Sequence, residues 1–469
     1  MAKQFEDQGG AATMNPSRFG RWLTSKVMTR LSQTSSVKAR HAKAERTRLK
    51  VGAPHEVHYF HQVDDGYSHL TAQLLMPLLA RYDIELRCHL VCADQGKNVP
   101  EPDLLARLSR YESHLVAPGY GLVFPDHPQE PNAHHVSLAT RILAAQSAEA
   151  FPEIAAKVGD ALWSGDGARL DHLAETSGCA AAGHADAAVD AGNQVRHEMK
   201  HYSGAMFYYG GEWYWGADRL YLLEQRLAAL GADRYSERDL IAPRPSITLP
   251  QKRDNKAFTL ELYASLRSPY SAVVFDRVVA FAREAGVTLS LRPVLPMVMR
   301  GVPATRAKGM YIFMDAAREA HKAGVPYCNF YDPIGDPVRK CYALYPWAAS
   351  QGKGVELLSS FLRHAFALGV NTSTESGLKK VVVAAGLDWV AAQAHRQDTT
   401  WEALLEENRL AMYQAGLWGV PSFRLIDPKG EAVLAVWGQD RLWLLAQKLC
   451  ERVNQELQGS KALAAVGAN

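Results

Sequence analysis

Gly419-Val420-Pro421-Ser422-Phe423 and, fourteen residues beyond Phe423, Trp437-Gly438-Gln439-Asp440-Arg441-Leu442 decide how this chain is read. The first stretch is a loop feeding a strand, since its proline has no N–H to give a ladder. The second follows the apolar run Ala432-Val433-Leu434-Ala435-Val436 and opens an amphipathic helix through Leu444, Leu445 and Leu449. Asp440 falls where a carboxylate and free backbone N–H groups gather at a helix start. The expected order is strand, turn, strand, helix. The same ending occurs earlier, where Trp215-Gly216-Ala217-Asp218-Arg219-Leu220 runs into Leu222, Leu223 and Leu227. The two copies lie 222 residues apart (437 − 215), and that repeat sets the expected architecture.

At 469 residues the chain exceeds one ordinary core and implies two or three domains. Hydrophobic residues at 47% and charged residues at 22% are the balance of a soluble globular protein. The net charge of +3 is unevenly placed: residues 1–50 hold eleven Lys/Arg against three acids, leaving 41 basic (52 − 11) against 46 acidic (49 − 3) in the rest. Within that basic arm, Phe19, Trp22, Leu23, Val27 and Leu31 alternate with Arg18, Arg21, Lys26 and Arg30 as in a basic amphipathic helix. A surface helix is the plain reading, with membrane-surface or nucleic-acid contact as its rivals. Neither a secretory apolar segment nor a run of 18 apolar residues is visible, so a cytoplasmic protein without an integral membrane segment is expected. Nucleic acid is not among the expected partners.

Working outward from the two endings, each is preceded by a β-α-β half. Val57-His58-Tyr59-Phe60, the helix start Asp65-Gly66-Tyr67-Ser68 and Glu85 to Val91 form the first. Thr259 to Tyr263, Ser268-Pro269-Tyr270-Ser271 and Thr288 to Val294 form the second. Sliding one on the other pairs Asp65 with Ser268, Gly66 with Pro269, Tyr67 with Tyr270 and Ser68 with Ser271. Helical inserts are expected at 130–202 and 305–416, between the halves of each unit. The expected organisation is an arm at 1–52, a unit at 53–235, a proline-rich polar linker at 236–256, a unit at 257–455 and a tail at 456–469.

Ser268 before Pro269 is a good N-cap, and proline is at home in the first helical position. The functional reading places the Ser268 hydroxyl in the positive field of that helix, where it can stabilise a thiolate brought by a cofactor. The six cysteines, Cys88, Cys92, Cys179, Cys328, Cys341 and Cys450, form no C-x-x-C pair and show no zinc spacing. None stands at a helix start, where a nucleophilic thiol would have its pKa depressed. Thiol–disulfide exchange by the protein's own sulfur, through Cys88 or Cys328, is therefore disfavoured.

These pieces reach a family. Residues 257–450 resemble the 2-hydroxychromene-2-carboxylate isomerase and kappa-class glutathione transferase family, within the DsbA-like thioredoxin superfamily. The resemblance rests on Ser268-Pro269-Tyr270-Ser271, Lys308-Gly309-Met310-Tyr311 with Asp315 and Arg318, Gly324-Val325-Pro326, Gly419-Val420-Pro421-Ser422-Phe423, and Gly438-Gln439-Asp440-Arg441. It implies two tandem thioredoxin-like α/β domains, each with an inserted helical subdomain. It also implies reduced glutathione as cofactor and a small apolar or aromatic electrophile as substrate. Its site roles fall on Ser268 at the sulfur, on Val420 and the cis proline Pro421 at the cysteinyl backbone, and on Gln439 with Asp440 at the γ-glutamyl end. Lys308 completes the cofactor set, and no metal is expected. Tyr311, Phe313 and Trp347 of the insert would cover the substrate.

Two departures from the family pattern stand out. Arg300-Gly301 replaces a common Gly-Asn pair, and Ala264 or Ser265 replaces an aspartate near the end of the first strand. Family members are single units that dimerise, so two fused copies would form an intramolecular pseudo-dimer. The first unit reads as degenerate: Asp65 replaces the serine, Gly66 the proline, and Ser203-Gly204-Ala205-Met206-Phe207 the cis-proline loop. A structural or pairing partner is the reading for it. His197-Glu198-Met199-Lys200-His201 matches the zinc-peptidase pattern H-E-x-x-H, a short motif that arises often by chance. The alternative for the whole chain is a DsbA-family fold without C-x-x-C, serving as a peptide- or partner-binding module or an atypical thiol–disulfide oxidoreductase.

Overall fold

A computed structural model describes residues 15–466 except 95, 127, 303 and 328, and the side chains of 97 and 459–466 are likewise outside the description. Cys328 therefore lies outside the described residues. The chain divides into two compact units, residues 38–246 and residues 1–37 with 247–469.

Helices α1 (Arg18–Ser32) and α2 (Thr34–Lys50) precede the sheets. In the 38–246 unit follow β1 (Glu56–Gln62), α3 (Gly66–Ala72), α4 (Leu75–Arg81) and β2 (Glu85–Val91). Helices α5 (Pro102–Val116), α6 (Ala133–Ala144), α7 (Phe151–Trp163), α8 (Gly167–Ser177) and α9 (Ala182–Glu198) lead to β3 (Met206–Tyr209), β4 (Glu212–Trp215) and α10 (Gly216–Ala229). The sheet order is β2-β1-β3-β4, with β1 parallel to β2 and antiparallel to β3. Tyr59 and Phe60 on the central strand are fully buried, as a strand covered on both faces requires.

The 247–469 unit opens with β5 (Thr259–Ala264), α11 (Pro269–Ala285) and β6 (Thr288–Pro293). Helices α12 (Arg306–Lys322), α13 (Asp336–Ser350), α14 (Gly354–Phe366), α15 (Glu375–Ala384), α16 (Trp389–Gln393) and α17 (Thr400–Gln414) intervene. Then come β7 (Ser422–Ile426), β8 (Ala432–Trp437) and α18 (Leu442–Val466). Its sheet runs β6-β5-β7-β8, with β5 parallel to β6 and antiparallel to β7. Both units are thus mixed α/β with the same strand order, and each has helices between its second and third strands.

The core of this unit follows from the patterns. Leu260 and Leu262 on β5 are fully buried, as are Val274 and Val278 of α11, which bury the helix face turned from water. Glu261, buried in the same strand, is paired with Arg292 of β6 at 2.9 Å and Arg424 of β7 at 2.9 Å. A buried carboxylate persists only when charges and donors surround it, and two guanidiniums and the Tyr263 hydroxyl at 2.9 Å do so here.

Residues 18–32, read from sequence as part of the basic arm, pack against the loop that precedes α13. Arg21 is buried and donates to the carbonyls of Asp332 at 2.6 Å and Ile334 at 2.8 Å. Ser25 and Thr29, one and two turns on, accept from the backbone N–H groups of Asp332 at 3.0 Å and Phe330 at 2.9 Å. Among the described residues no helix is long and apolar enough to cross a membrane.

Candidate functional site

The site builds from the C-terminal end of β5. The turn after the strand delivers Ser268 in extended backbone (φ −79°, ψ 119°), and its Oγ accepts from the Ser271 N–H at 3.1 Å to cap α11. Pro269 fills the first helical position, where its missing N–H costs nothing. The Ser268 hydroxyl has one proton to give, and it donates it to the Val420 carbonyl at 3.3 Å. That long bond joins the helix start to the loop before β7.

The Val420–Pro421 peptide is cis. The Pro421 carbonyl accepts from the Gly438 N–H at 3.0 Å, which fastens this loop to the turn after β8. Among the described residues the Val420 N–H has no hydrogen-bond partner. Gly438 holds φ at +115°, a backbone conformation that calls for glycine, and a Cβ there would come within 2.6 Å of Asp440 Oδ1.

Gln439, 2% exposed, donates its Nε2 to Glu319 Oε2 on α12, while its Oε1 is buried without a partner among the described residues. A buried amide oxygen left unpaired costs on the order of 1–3 kcal/mol, so it marks a place where a donor belongs. Asp440 differs from its expected place. The Arg441 N–H bonds the Gly438 carbonyl at 3.3 Å to close a turn, and the helix starts only at Leu442. Asp440 therefore stands outside the first helical turn, with its Oδ1 3.4 Å from the Arg441 guanidinium.

Helix α12 closes the circuit. Its Asp315, fully buried, accepts from the Tyr270 hydroxyl at 2.7 Å and from Arg318 at 2.8 Å. Glu319, one turn on, holds Gln439. At its N-terminus, capped by Thr305, Lys308 places its Nζ 5.7 Å from the centre of the Trp418 ring, two residues before Val420. Contacts therefore run from Ser268 to Val420-Pro421, to Gly438-Gln439, to Glu319 and Asp315, and back to Tyr270. Ser268, Val420, Pro421, Gln439 and Lys308 are all attached to this ring of contacts.

Glu319 and Trp418 were missed by the sequence reading. A signal for Glu319 existed: Asp315 and Glu319 repeat at i, i+4 among Ala316, Ala317 and Ala320, so the two acids share a face with buried alanines. Phe313 was expected to cover a substrate, but it is 3% exposed and packs on Tyr327 and Phe330 with ring centres 5.8 and 5.0 Å away. Tyr311 is likewise buried at 7% exposure, and Trp347 stacks on His395 at 5.2 Å. Tyr311 and Phe313 thus sit inside the helical layer.

At the start of α3, the corresponding position is filled. Asp65 Oδ2 accepts from the Ser68 N–H and hydroxyl, both at 2.9 Å, and Oδ1 accepts from Ser109 Oγ of α5 at 2.6 Å. Burial pushes the Asp65 carboxyl above its ordinary range, and the serine donors pull part of the way back. A Cβ on Gly66 would lie 2.6 Å from Ser113 Oγ and 3.2 Å from the Ser109 carbonyl, so α5 leaves no room for a proline there. Ala205, in the cis-proline loop's place, takes a left-handed φ of +53°.

The other chemistry read from the sequence separates. α9 ends at Glu198 and Lys200 turns to φ +66°, so His197 and His201 do not share a helical face as the H-E-x-x-H arrangement needs. His201 is buried, and its Nδ1 accepts from the Ser203 N–H at 3.1 Å. Burial pushes the thiols of Cys88, Cys341 and Cys450 up, away from the thiolate form.

Residues 259–450 match the profile of the family described as "DSBA-like thioredoxin domain", and this stretch is such a domain. No curated protein matches the chain. Among solved structures it is similar to 2-hydroxychromene-2-carboxylate isomerase, at 19% identity over 43% of this chain and 98% of that one, with a TM-score of 0.36. It is similar to a probable DsbA oxidoreductase from Streptomyces coelicolor, at 18% identity over 41% and 89%, with a TM-score of 0.32. It is also similar to the cytosolic disulfide reductase DsbM from Pseudomonas aeruginosa with GSH, at 16% identity over 43% and 99%, with a TM-score of 0.34.

Proposed function

We propose that the 247–469 unit is a glutathione-dependent isomerase or transferase whose substrate is a small apolar or aromatic electrophile. The observation that carries this reading is the Ser268 hydroxyl, capping α11 and bonded across to the carbonyl of Val420 beside a cis proline. The fit to reduced glutathione rests on two unsatisfied groups at that spot and on a cation beside them. The Val420 N–H lacks a partner and can take a peptide carbonyl. The buried Gln439 Oε1 can accept from an ammonium. Lys308 supplies a cation near Trp418 that suits a carboxylate. When bound, glutathione supplies a thiol nucleophile.

The chain's own part is to hold that sulfur as the anion. Ser268 Oγ already accepts from the Ser271 N–H, so its proton alone is mobile. Turning it from the Val420 carbonyl toward a sulfur exchanges a weak neutral bond for a charge-assisted one. The N-terminal end of the α11 dipole adds a fixed positive field, so no dipole has to reorganise. Tyr270, locked to Asp315, keeps the first turn in place. No thiol of the described chain takes a comparable position, which speaks for a borrowed sulfur over a resident one.

The shared strand order supports a tandem origin for the two units, the first having lost the site. An intramolecular pseudo-dimer accords with that origin, and a monomeric mass by light scattering is its expected signature. The rival is an extended peptide paired with the Val420 N–H, which needs no thiolate. Thiolate absorbance of glutathione titrated with and without the protein separates the two. The proposal expects the bound thiol to ionise at lower pH with the wild type and not with Ser268→Ala. An unshifted thiol in both would overturn the proposal and favour the peptide.

A further inference from the structure

Helix α1 is amphipathic the wrong way round for a helix that packs by its apolar face. Its polar side is the buried one: Arg21, Ser25 and Thr29 are hydrogen-bonded into residues 330–334. Its apolar side faces water, with Phe19 69%, Trp22 45%, Leu23 45% and Val27 48% exposed. These positions follow the 3-4 spacing of one helical stripe, and the Phe19 and Trp22 rings sit 5.9 Å apart. Burying such a stripe would ordinarily be favourable, so a contiguous exposed one points to an occupant.

Charge says what the occupant is. Residues 15–37 carry Arg18, Arg21, Lys26 and Arg30 and no acid. Arg18, Lys26 and Arg30 make no ion pair with a described residue. Beside the stripe, a groove of about 820 Å³ is lined by Lys26, Arg30, Gln33, Ser35 and Ser36 together with Thr29 and Asn329, with no carboxylate among them. Two cations, hydroxyls and amides in one groove are donors for a phosphate oxygen. A second copy of this face is a poor partner, because it would set these cations against one another with nothing to neutralise them.

We infer that α1 is a peripheral attachment site for a bilayer of anionic phospholipid. Phe19, Trp22, Leu23 and Val27 enter the interfacial region, and Lys26 and Arg30 hold headgroup phosphates in the adjacent groove. The inward polar face keeps α1 fixed to its unit while the outward face binds, so attachment requires no unfolding. This inference does not depend on the reading of the thiol site.

Sedimentation of the full chain with phosphatidylcholine vesicles, with and without phosphatidylglycerol, tests it. Binding is expected only where the anionic lipid is present, and it weakens as salt is raised. Phe19→Ser/Trp22→Ser and Lys26→Glu/Arg30→Glu should each lower the bound fraction by roughly an order of magnitude while leaving the circular-dichroism melt unchanged. Millimolar inorganic phosphate should not compete. Failure of the wild type to sediment with anionic vesicles overturns the inference, as does binding that survives both double variants. Release by free phosphate overturns it in favour of a soluble-anion site. A dimer that Phe19→Ser/Trp22→Ser splits, with vesicle binding unchanged, overturns it in favour of self-association.

Discussion

At the start of α3 the Asp65 carboxylate accepts from the Ser68 N–H at 2.9 Å, and at the start of α11 the Ser268 hydroxyl accepts from the Ser271 N–H at 3.1 Å. Tyr67 then donates to Glu112 at 2.8 Å as Tyr270 donates to Asp315 at 2.7 Å. Gly216 bonds Ala205 at 2.7 Å as Gly438 bonds Pro421 at 3.0 Å. The frame is the same and its contents differ. Asp65 is closed in by Ser68 Oγ and Ser109 Oγ, and α5 presses on Gly66. Ser268 is half-buried and keeps one weak bond to a neighbouring loop. The same frame can therefore hold a carboxylate cap in one unit and a hydroxyl cap in the other. What separates the two caps is how many donors already saturate them.

The largest expected effect is at the saturated cap. Asp65→Ala would strand the Ser68 N–H and two serine hydroxyls inside the protein, costing about 3 kcal/mol in urea unfolding. Ser268→Ala, at the less saturated cap, should cost about 1 kcal/mol by the same measurement. Equal losses would show that the two caps do not differ in this way. The two tyrosines sharpen the comparison from the other side. Tyr67→Phe and Tyr270→Phe each remove one bond to a fully buried carboxylate and should cost similar amounts, about 1.5 kcal/mol.

Acid distinguishes the units next. Burial holds His61 at about 3 and His69 and His89 at about 4, below the ordinary value of 6.5. Each is neutral when folded and takes up a proton when unfolded, so the unfolded state binds more protons between pH 6.5 and about 4. Stability of the 38–246 unit must fall as the pH falls through that window. Asp65 and Glu224, raised by burial, pull the opposite way. Hydrogen exchange at pH 5 and pH 7 should show the 38–246 unit losing protection first. Loss beginning in 247–469 would contradict this.

Much of this was legible in the sequence because it is local. Ser268-Pro269 marks a helix start by its chemistry alone, and the two Trp-Gly-x-Asp-Arg-Leu endings reveal the repeated strand–helix finish through simple identity. The proline of Val420-Pro421 marks the loop before β7. The illegible parts depend on what is far away. No pattern near Asp65 says that Ser109, 44 residues on, supplies its third donor. No pattern near Gln439 says that Glu319, 120 residues back, takes its amide. Phe313 reads as an aromatic available to substrate until Tyr327 and Phe330 are seen against it. Asp440 was misplaced because the turn from Gly438 to Arg441 postpones the helix by two residues. The inverted face of α1 also escaped notice, since an apolar stripe in a sequence is ordinarily the face that packs.

Calorimetric titration of the full chain with reduced glutathione, beside Ser268→Ala and Asp65→Asn, tests the central claim most directly. The expected result is one site per chain, roughly tenfold weaker in Ser268→Ala and unchanged in Asp65→Asn. Two sites per chain, loss of binding in Asp65→Asn alone, or no heat with the wild type at millimolar glutathione would contradict it.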